Sequence, residues 1–268
     1  MYTIVITNDD GVHAPGINIL RETLKSIAQV IIVAPMTERS TTGHTLTLDT
    51  TLRLEEIDEN IFACSGFPAD CSLMAIGHLF KNPKSKYFGK KIDLLISGIN
   101  RGGNLGQDIF YSGTVAAARE ACFHGVPSIA ISSCISFKDN DEETKPYYTA
   151  SNFIKNLISY EVSNLMPQLS FLNINVPWCI DTEIKGVQLT RPGFRKYSED
   201  IDERLDFRGR NYYWIGGNYK GFEPFEGSDC VAVENKKISI TPINLCEFKN
   251  NNSALMDLTA KFLMKNSY

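Results

Sequence analysis

The chain has 268 residues, of which 43% are hydrophobic and 22% are charged, and its formal net charge is -4. This composition excludes a disordered chain and allows a sizeable core. The acidic balance, without a dense Lys/Arg patch, favours small substrates over a nucleic-acid polymer. Because the sequence lacks a run of about 18 apolar residues, we expect no membrane span and no membrane partner.

Strand and helix patterns alternate through the first two thirds of the chain. Residues 3–7 are β-branched and apolar, residues 16–28 carry apolar side chains at helical spacing, and residues 30–34 form a continuous apolar run. Such a strand–helix–strand unit is typical of a parallel sheet with a right-handed crossover. The further predicted elements are, in chain order, a strand or hairpin at a sheet edge over residues 45–54, a helix over 69–80, a strand over 92–97, a helix over 113–124, a strand over 127–132, a helix over 147–165 and a strand over 171–176.

The pattern changes after about residue 180. Strand-like segments become short, at residues 230–233 and 238–241, and residues 253–264 predict an amphipathic helix. We therefore predict an α/β fold, with a mostly parallel sheet flanked by helices in residues 1–180 and a β-rich extension with a C-terminal helix in residues 181–268.

The composition of this extension suggests a role in assembly. Short strands are marginal on their own, and Tyr212, Tyr213 and Trp214 are of residue types enriched in buried interfaces. We expect the extension to form an oligomer interface rather than to take part in the chemistry. The alternative is that it folds back on its own core.

The cellular compartment is suggested by the N-terminus and the cysteines. The N-terminus has no basic leader, and the seven cysteines include no Cys-x-x-Cys pair. Buried, reduced thiols fit this pattern, so we expect a cytoplasmic protein.

Two adjacent acids follow the first predicted strand, in the segment Asn8-Asp9-Asp10-Gly11. Ligands of open α/β sheets bind outside the carboxyl ends of the strands. Neighbouring carboxylates repel each other unless positive charge lies beside them, and a divalent cation bound by oxygen atoms would supply it. The alternative is an Asx turn in which Gly11 provides the positive φ.

Two further polar segments follow predicted strands. Residues 38–44 (Glu-Arg-Ser-Thr-Thr-Gly-His) combine hydroxyls, an Arg and a His, although they would also serve as a plain connecting loop. Residues 97–106 are Gly-rich, and Ser112, Gly113 and Thr114 open the Ala-rich helix, where free backbone amides suit a phosphate group. The alternative is that Ser112 or Thr114 only caps this helix. The sequence has neither a Walker A motif nor G-x-G-x-x-G, so the three segments together favour metal-assisted hydrolysis of a phosphate ester.

These segments resemble the SurE survival-protein family of 5'-nucleotidases. Order and spacing match through about residue 135, and later motifs extend the resemblance to nearly the whole chain. Gly103 stands where the family often has Pro, which removes no ligand. The matching motifs lie at residues 7–11, 34–35, 38–40, 43–44, 97–102, 112–116, 175–177, 228–229 and 240–242.

The resemblance implies a Rossmann-like core and metal-dependent hydrolysis of nucleoside 5'-monophosphates, with 3'-monophosphates and short polyphosphate as further candidate substrates. It also implies one divalent cation per subunit, Mg²⁺ or Mn²⁺, and a homodimer or homotetramer joined through the C-terminal part. The implied metal ligands are Asp9, Asp10, Ser40 and Asn100. The acids Asp9 and Asp10 are also the candidates for proton transfer. The candidate phosphate contacts are Asn8, Asn104, Ser112, Gly113 and Thr114.

Two other functions stay open at this point. A phosphatase with an aspartyl-phosphate intermediate usually places its acids as Asp-x-Asp, which Asp9-Asp10-Gly11 does not match. A nucleotide-binding regulatory module without turnover would retain the nucleotide and release no phosphate. Metal-dependent phosphate release from AMP or GMP distinguishes this module from an enzyme.

Overall fold

The computed structural model of the protein describes residues 2–135 and 144–245. Thirteen strands are found in this part of the chain: β1 (Thr3–Thr7), β2 (Gln29–Pro35), β3 (Leu54–Asp58), β4 (Ile61–Cys64), β5 (Leu94–Arg101), β6 (Ser128–Cys134), β7 (Ser170–Pro177), β8 (Val187–Leu189), β9 (Arg195–Tyr197), β10 (Ile201–Leu205), β11 (Asn211–Ile215), β12 (Tyr219–Phe222) and β13 (Ile238–Asn244). The α-helices there are α1 (Pro15–Leu24), α2 (Pro68–Leu73), α3 (Gly113–Phe123), α4 (Lys145–Ser159), α5 (Val162–Leu165) and α6 (Asp229–Glu234). A π-helical segment (Met74–Leu79) continues α2, and 3-10 turns lie at Gly106–Phe110 and Asp181–Glu183.

Nine strands form one central sheet, in the order β3-β4-β2-β1-β5-β6-β7-β13-β8. All neighbours from β4 to β7 are parallel, whereas β3 and β13 run antiparallel to β4 and β7. The chain order reverses between β1 and β5, so a crevice opens beyond the carboxyl ends of these two strands. The predicted α/β fold with a mostly parallel sheet is confirmed.

Helices cover both faces of this sheet. Helices α1 and α4 pack together on one face, and α2 and α3 pack together on the other. In β1, Ile4 and Ile6 belong to the core under α1 and α4, whereas Val5 belongs to the core under α2. Because side chains alternate along a strand, the all-apolar sequence of β1 is what a strand buried on both faces requires.

Two predicted strands are wrong. Residues 45–53 form no strand, because the backbone N–H and the hydroxyl of Thr47 both donate to the carboxylate of Asp70 instead of pairing with a neighbouring strand. Residues 230–233 lie in helix α6, where Asp229 and Ala232, three positions apart, are buried on the same side. A short apolar run does not distinguish a strand from a helix.

The predicted helix over residues 147–165 is two helices, because Glu161 takes a left-handed conformation (φ 53°) between α4 and α5. The C-terminal helix expected at residues 253–264 lies outside the described residues. Strands β8 and β13, both after residue 180, complete the central sheet. The pairs β9–β12 and β10–β11 form two separate small antiparallel sheets. Within the described ranges, no helix is long and apolar enough to cross a membrane.

Candidate active site

A cavity of about 1160 Å³ lies at the crevice beyond β1 and β5. Six of the nine residues that the sequence proposed for the site line it: Asp9, Asp10, Ser40, Asn100, Asn104 and Ser112. The remaining three, Asn8, Gly113 and Thr114, are not part of its lining. Gly113 and Thr114 contact Asp9, and Asn8 belongs to the turn that carries both acids.

Asp9 is buried against the first turn of α3. Its Oδ1 accepts a hydrogen bond of 2.5 Å from the Thr114 hydroxyl, and the Asp9 carboxylate also accepts one from the Thr114 backbone N–H. A Cβ on Gly113 would lie 3.0 Å from the Asp9 Cβ and 3.0 Å from the Pro68 Cγ, so any larger residue would have to displace one of these side chains. The positive end of α3 therefore lies beside the Asp9 carboxylate.

Of the two roles considered for the first turn of α3, the structure shows the capping role, and it adds the orientation of Asp9. The Ser112 Oγ accepts from the Val115 N–H at 3.0 Å, which is the capping role. Thr114 orients Asp9 through its hydroxyl. Direct contacts of Ser112, Gly113 and Thr114 with phosphate stay a prediction.

The turn after β1 presents the two acids to the cavity. Asn8 Nδ2 donates to the Gly11 carbonyl at 2.9 Å, and Gly11 supplies a positive φ of 98°. The turn therefore differs from an Asx turn, in which the side-chain oxygen accepts from a backbone N–H. Asn8 itself is fully buried, and its Oδ1 has no hydrogen-bond partner among the described residues. The turn and the functional interpretation are compatible, because the turn is what places Asp9 and Asp10 side by side.

The site is rich in negative charge. Burial, more than any other factor, raises the pKa of Asp9. Burial and then the neighbouring Asp9 raise the pKa of Asp10 to about 7, although the Arg101 N–H donates to Asp10 Oδ2 at 3.1 Å. The charge of Glu38 raises both pKa values further. The ionised pair therefore requires additional positive charge.

The oxygen atoms around this pair fit a divalent cation. The Ser40 hydroxyl and the Asn100 amide line the same cavity as the two carboxylates. Asn100 Nδ2 donates to the Gly102 carbonyl at 2.7 Å, so the amide oxygen is the atom that would bind a cation. Residues 2–135 and 144–245 contain no metal-binding group of three His, Cys, Asp or Glu. Two carboxylates completed by neutral oxygens match the preferences of Mg²⁺ and Mn²⁺.

The loop that carries Ser40 is fixed on both sides. The Arg39 N–H donates to the Asp9 carbonyl at 2.7 Å, and the Gly43 N–H donates to the Tyr111 carbonyl at 2.9 Å. Ser40 Oγ itself donates to Glu38 Oε1 at 2.5 Å. The loop is thus attached to the end of β1 and to the segment before α3, which holds Ser40 near the acids.

Asn104 is fixed by the neighbouring strands. Its backbone N–H donates to Asn175 Oδ1 at 2.8 Å, and its Nδ2 donates to Ser132 Oγ at 2.8 Å. Its carbonyl accepts from the side chains of Asn173 and Asn175. These bonds tie the Gly-rich loop to β6 and β7 and leave Asn104 at the cavity wall.

One wall of the cavity comes from the extension, which we expected to be remote from the chemistry. Residues 197–198 and 215–218 line the cavity together with Tyr111 and Arg101 of the core. Sequence reasoning missed this wall because neither residues 197–198 nor residues 215–218 follow a strand of the parallel sheet or belong to a recognised motif. The antiparallel pairing of β9 with β12 brings them together.

Comparison with known proteins agrees with this geometry. The model of the family "Survival protein SurE" matches residues 4–199. The "5'-nucleotidase SurE" of Geobacter sulfurreducens is 45% identical over 242 residues, 90% of this chain and 87% of that protein. That of Thermosipho melanesiensis is 44% identical over 263 residues, 97% of each chain. The crystal structure of the SurE protein from Aquifex aeolicus superimposes with a TM-score of 0.77 at 36% identity, covering 98% of this chain and 99% of that one. The chain therefore belongs to the SurE survival-protein family, as its motifs predicted.

Proposed function

We propose that this protein is a divalent-metal-dependent 5'-nucleotidase that hydrolyses nucleoside 5'-monophosphates to nucleoside and phosphate. The observation that carries the proposal is the pair of adjacent carboxylates, the buried Asp9 and the half-buried Asp10, which line one cavity with Ser40 and Asn100. Relatives that are 44% and 45% identical over at least 90% of this chain are named 5'-nucleotidases, which supports the same activity here.

Asp9, Asp10, Ser40 and Asn100 would hold one Mg²⁺ or Mn²⁺ per subunit. When bound, the cation supplies the positive charge that polarises the phosphoryl group and makes water more acidic. The chain itself fixes the geometry: Thr114 and Gly113 hold Asp9, and the backbone N–H of Arg101 holds Asp10. Ligands held in this way lose little entropy on binding, which favours a defined substrate position.

The acids have a second role in this proposal. Hydrolysis requires a base that takes a proton from the attacking water and an acid that protonates the leaving nucleoside oxygen. Asp9 and Asp10 are the adjacent carboxylates at the cavity wall, so we assign proton transfer to this pair. Ser112 and Asn104, which line the cavity, would donate hydrogen bonds to the phosphate oxygens, and the Gly113 amide would support them from the first turn of α3.

Release of inorganic phosphate tests the activity. We expect the EDTA-treated protein to be inactive on AMP and GMP and to regain activity with Mg²⁺ or Mn²⁺. Asp10→Asn should lose at least 99% of this activity, because removing one member of a catalytic group typically costs 10²-fold or more. Asp49→Asn, which changes an exposed acid outside the cavity, is the matched control. The same panel includes 3'-AMP and short polyphosphate.

The outcomes separate the enzyme from its main alternative. Nucleotide binding without phosphate release at any metal concentration would establish the regulatory module and refute the nucleotidase. Equal rates with EDTA and with metal would refute the metal dependence alone.

We also propose that the protein assembles as a homodimer or homotetramer through its extension. The β10–β11 hairpin pairs only with itself among the described strands, and its large apolar side chains are exposed, with Trp214 at 61% and Phe207 at 93%. A lone hairpin is marginal in water, and clustered exposed apolar groups are typical of interaction surfaces. A second copy of the chain would cover them.

Light scattering at micromolar concentration tests this assembly. We expect a dimer or tetramer that dissociates when residues 253–268 are deleted or when Trp214 is replaced by Ser. Tyr160→Ser, at an exposed position on the C-terminal side of α4, is the control. A monomer that is active and stable would refute the assembly proposal and leave the nucleotidase proposal intact.

A further inference from the structure

The cavity is larger than a phosphate group requires. Its volume of about 1160 Å³ is slightly above the range for pockets that enclose a small organic ligand, roughly 300–1000 Å³. The acids follow β1, Ser40 follows β2 and Asn100 lies in β5, while residues 197–198 and 215–218 of the cavity lining belong to the extension. The part of a substrate that lies beyond the phosphate would therefore meet residues that the proposed chemistry does not use.

Three tyrosines line the cavity, of which Tyr147 is buried whereas Tyr111 and Tyr197 are exposed. Tyr111 directly precedes Ser112 and is 62% exposed, and Tyr197 at the end of β9 is 39% exposed. Exposed aromatic rings inside a polar cavity are suited to stacking on a planar ligand group. We propose that Tyr111 and Tyr197, here called the tyrosine shelf, bind the nucleobase of the substrate by stacking. This inference rests on the proposed nucleotidase function.

Tyr197 is fixed before any ligand arrives. Its hydroxyl donates to Asp108 Oδ2 at 2.6 Å, and Arg195 Nη1 donates to the same oxygen at 2.5 Å. The Arg195 guanidinium carbon lies 5.3 Å from the centroid of the Tyr197 ring and 4.4 Å from that of Tyr219. Because its hydroxyl is bound by Asp108 and the Arg195 guanidinium lies against its ring, the Tyr197 side chain loses little conformational entropy when a base stacks on it.

The shelf is also held at a fixed place relative to the acids. Asp108 lies in the 3-10 turn that leads to Tyr111, and Gln107 in the same turn exchanges two hydrogen bonds with the Arg195 backbone, of 2.6 and 2.8 Å. Below them the fully buried Asp229 accepts from the N–H groups of Gly106 and Gly193 at 2.9 and 2.7 Å. Core and extension are thus joined directly under the shelf.

The chemistry of the shelf predicts a tolerant specificity. Every base has a π-face, so stacking favours bases over a bare sugar without selecting one base. The adjoining wall contains Gly216 and Gly217, which have no side chain to recognise a base edge, beside the polar residues Ser198 and Asn218. We expect purine and pyrimidine 5'-monophosphates to be hydrolysed, with the larger purine face preferred.

The ratio of kcat/KM for AMP to kcat/KM for ribose 5-phosphate measures the contribution of the base. Tyr197→Leu should lower this ratio about tenfold, the lower part of the range for one stacked base. Tyr197→Phe keeps the ring and should stay within about threefold of wild type. Tyr111→Leu should also lower the ratio, and this variant serves if Tyr197→Leu does not fold. Tyr160→Leu, an exposed tyrosine outside the cavity, is the matched control.

The outcomes separate the shelf from the reaction. An equal fall for both substrates, with an unchanged ratio in Tyr197→Leu and Tyr111→Leu, would overturn the shelf. If wild-type protein with metal releases no phosphate from either substrate, the proposed function fails, and calorimetric binding of adenosine then decides the shelf. Adenosine binding that is weakened by Tyr197→Leu but not by Tyr160→Leu supports the shelf, and binding that both variants retain equally refutes it.

Discussion

Replacing Asp10 with Asn should stabilise the metal-free protein at pH 8 while preventing metal binding. Burial and the neighbouring Asp9 raise the pKa of Asp10 from 3.8 to about 7. Between these values the folded state holds a proton that the unfolded state has lost, so stability falls as pH rises through this window. Asn cannot ionise, yet its side-chain oxygen can still accept from the Arg101 N–H that now donates to Asp10.

The size of the effect follows from the pKa shift. A rise of about three units corresponds to about 4 kcal/mol once the pH exceeds 7, at 1.4 kcal/mol per unit. Because Asp10 borders the open cavity, solvent reduces this penalty, and we expect about 2 kcal/mol. The variant should therefore be more stable than wild type by about 2 kcal/mol at pH 8, and the two should converge near pH 4.

Urea unfolding in EDTA at pH 5 and pH 8 measures this difference. Magnesium should stabilise wild type at pH 8 by mass action and leave Asp10→Asn unchanged. The exposed Asp49→Asn variant should behave as wild type under every condition. If Asp10→Asn in EDTA is no more stable than wild type at pH 8, the argument that the ionised pair is strained without a cation is wrong.

Three further predictions concern the ligands and their supports. Ser40→Ala and Asn100→Ala should each weaken Mg²⁺ binding on the order of tenfold in calorimetry, and an unchanged titration would remove that residue from the ligand set. Gly113→Ala places a Cβ 3.0 Å from the Asp9 Cβ, so kcat/KM for AMP should fall more than tenfold; activity equal to wild type would show that the acid tolerates displacement. Asp229→Ala removes the acceptor of the N–H groups of Gly106, Gly193 and Cys230 and should lower the free energy of unfolding by about 2–4 kcal/mol, as urea titration can check, whereas a loss below about 0.5 kcal/mol would mean that water replaces the carboxylate.

The position of the acids could be predicted from sequence because burial and polarity change abruptly there. Residues Thr3–Thr7 are all buried in β1, and the chain turns polar at Asn8. The same reasoning placed Ser40 after β2 and Asn100 at the end of β5, and all these residues meet at one crevice because neighbouring parallel strands end at the same edge. Local pattern and topology were therefore sufficient to place these polar segments at one crevice, whereas the choice of Ser40 and Asn100 as ligands came from the family resemblance.

The roles of the residues at the start of α3 could not be predicted in the same way. Capping, binding an anion and orienting a carboxylate all use the same free amides and hydroxyls of a first helical turn. Only the fold shows that Ser112 Oγ accepts from Val115 and that the Thr114 hydroxyl donates to Asp9. The sequence shows which donor groups a helix end carries, but it does not show which acceptor from another part of the chain lies next to them in the fold.

The cavity wall formed by the extension was missed for a related reason, because contacts between residues distant in sequence place it at the site. Its position also bears on which substrate the site prefers. Tyr197 reaches the cavity through the pairing of β9 with β12 and through Asp108, 89 positions earlier in the chain. The proposed metal ligands Asp9, Ser40 and Asn100 all belong to the core, whereas the wall that would face the base belongs mainly to the extension. If the tyrosine shelf binds the base as proposed, substitutions in the extension would change which nucleotide is preferred without moving a metal ligand, provided that the bonds of Asp108 and Asp229 keep the two parts joined. In this arrangement the chemistry and the choice of substrate can vary separately.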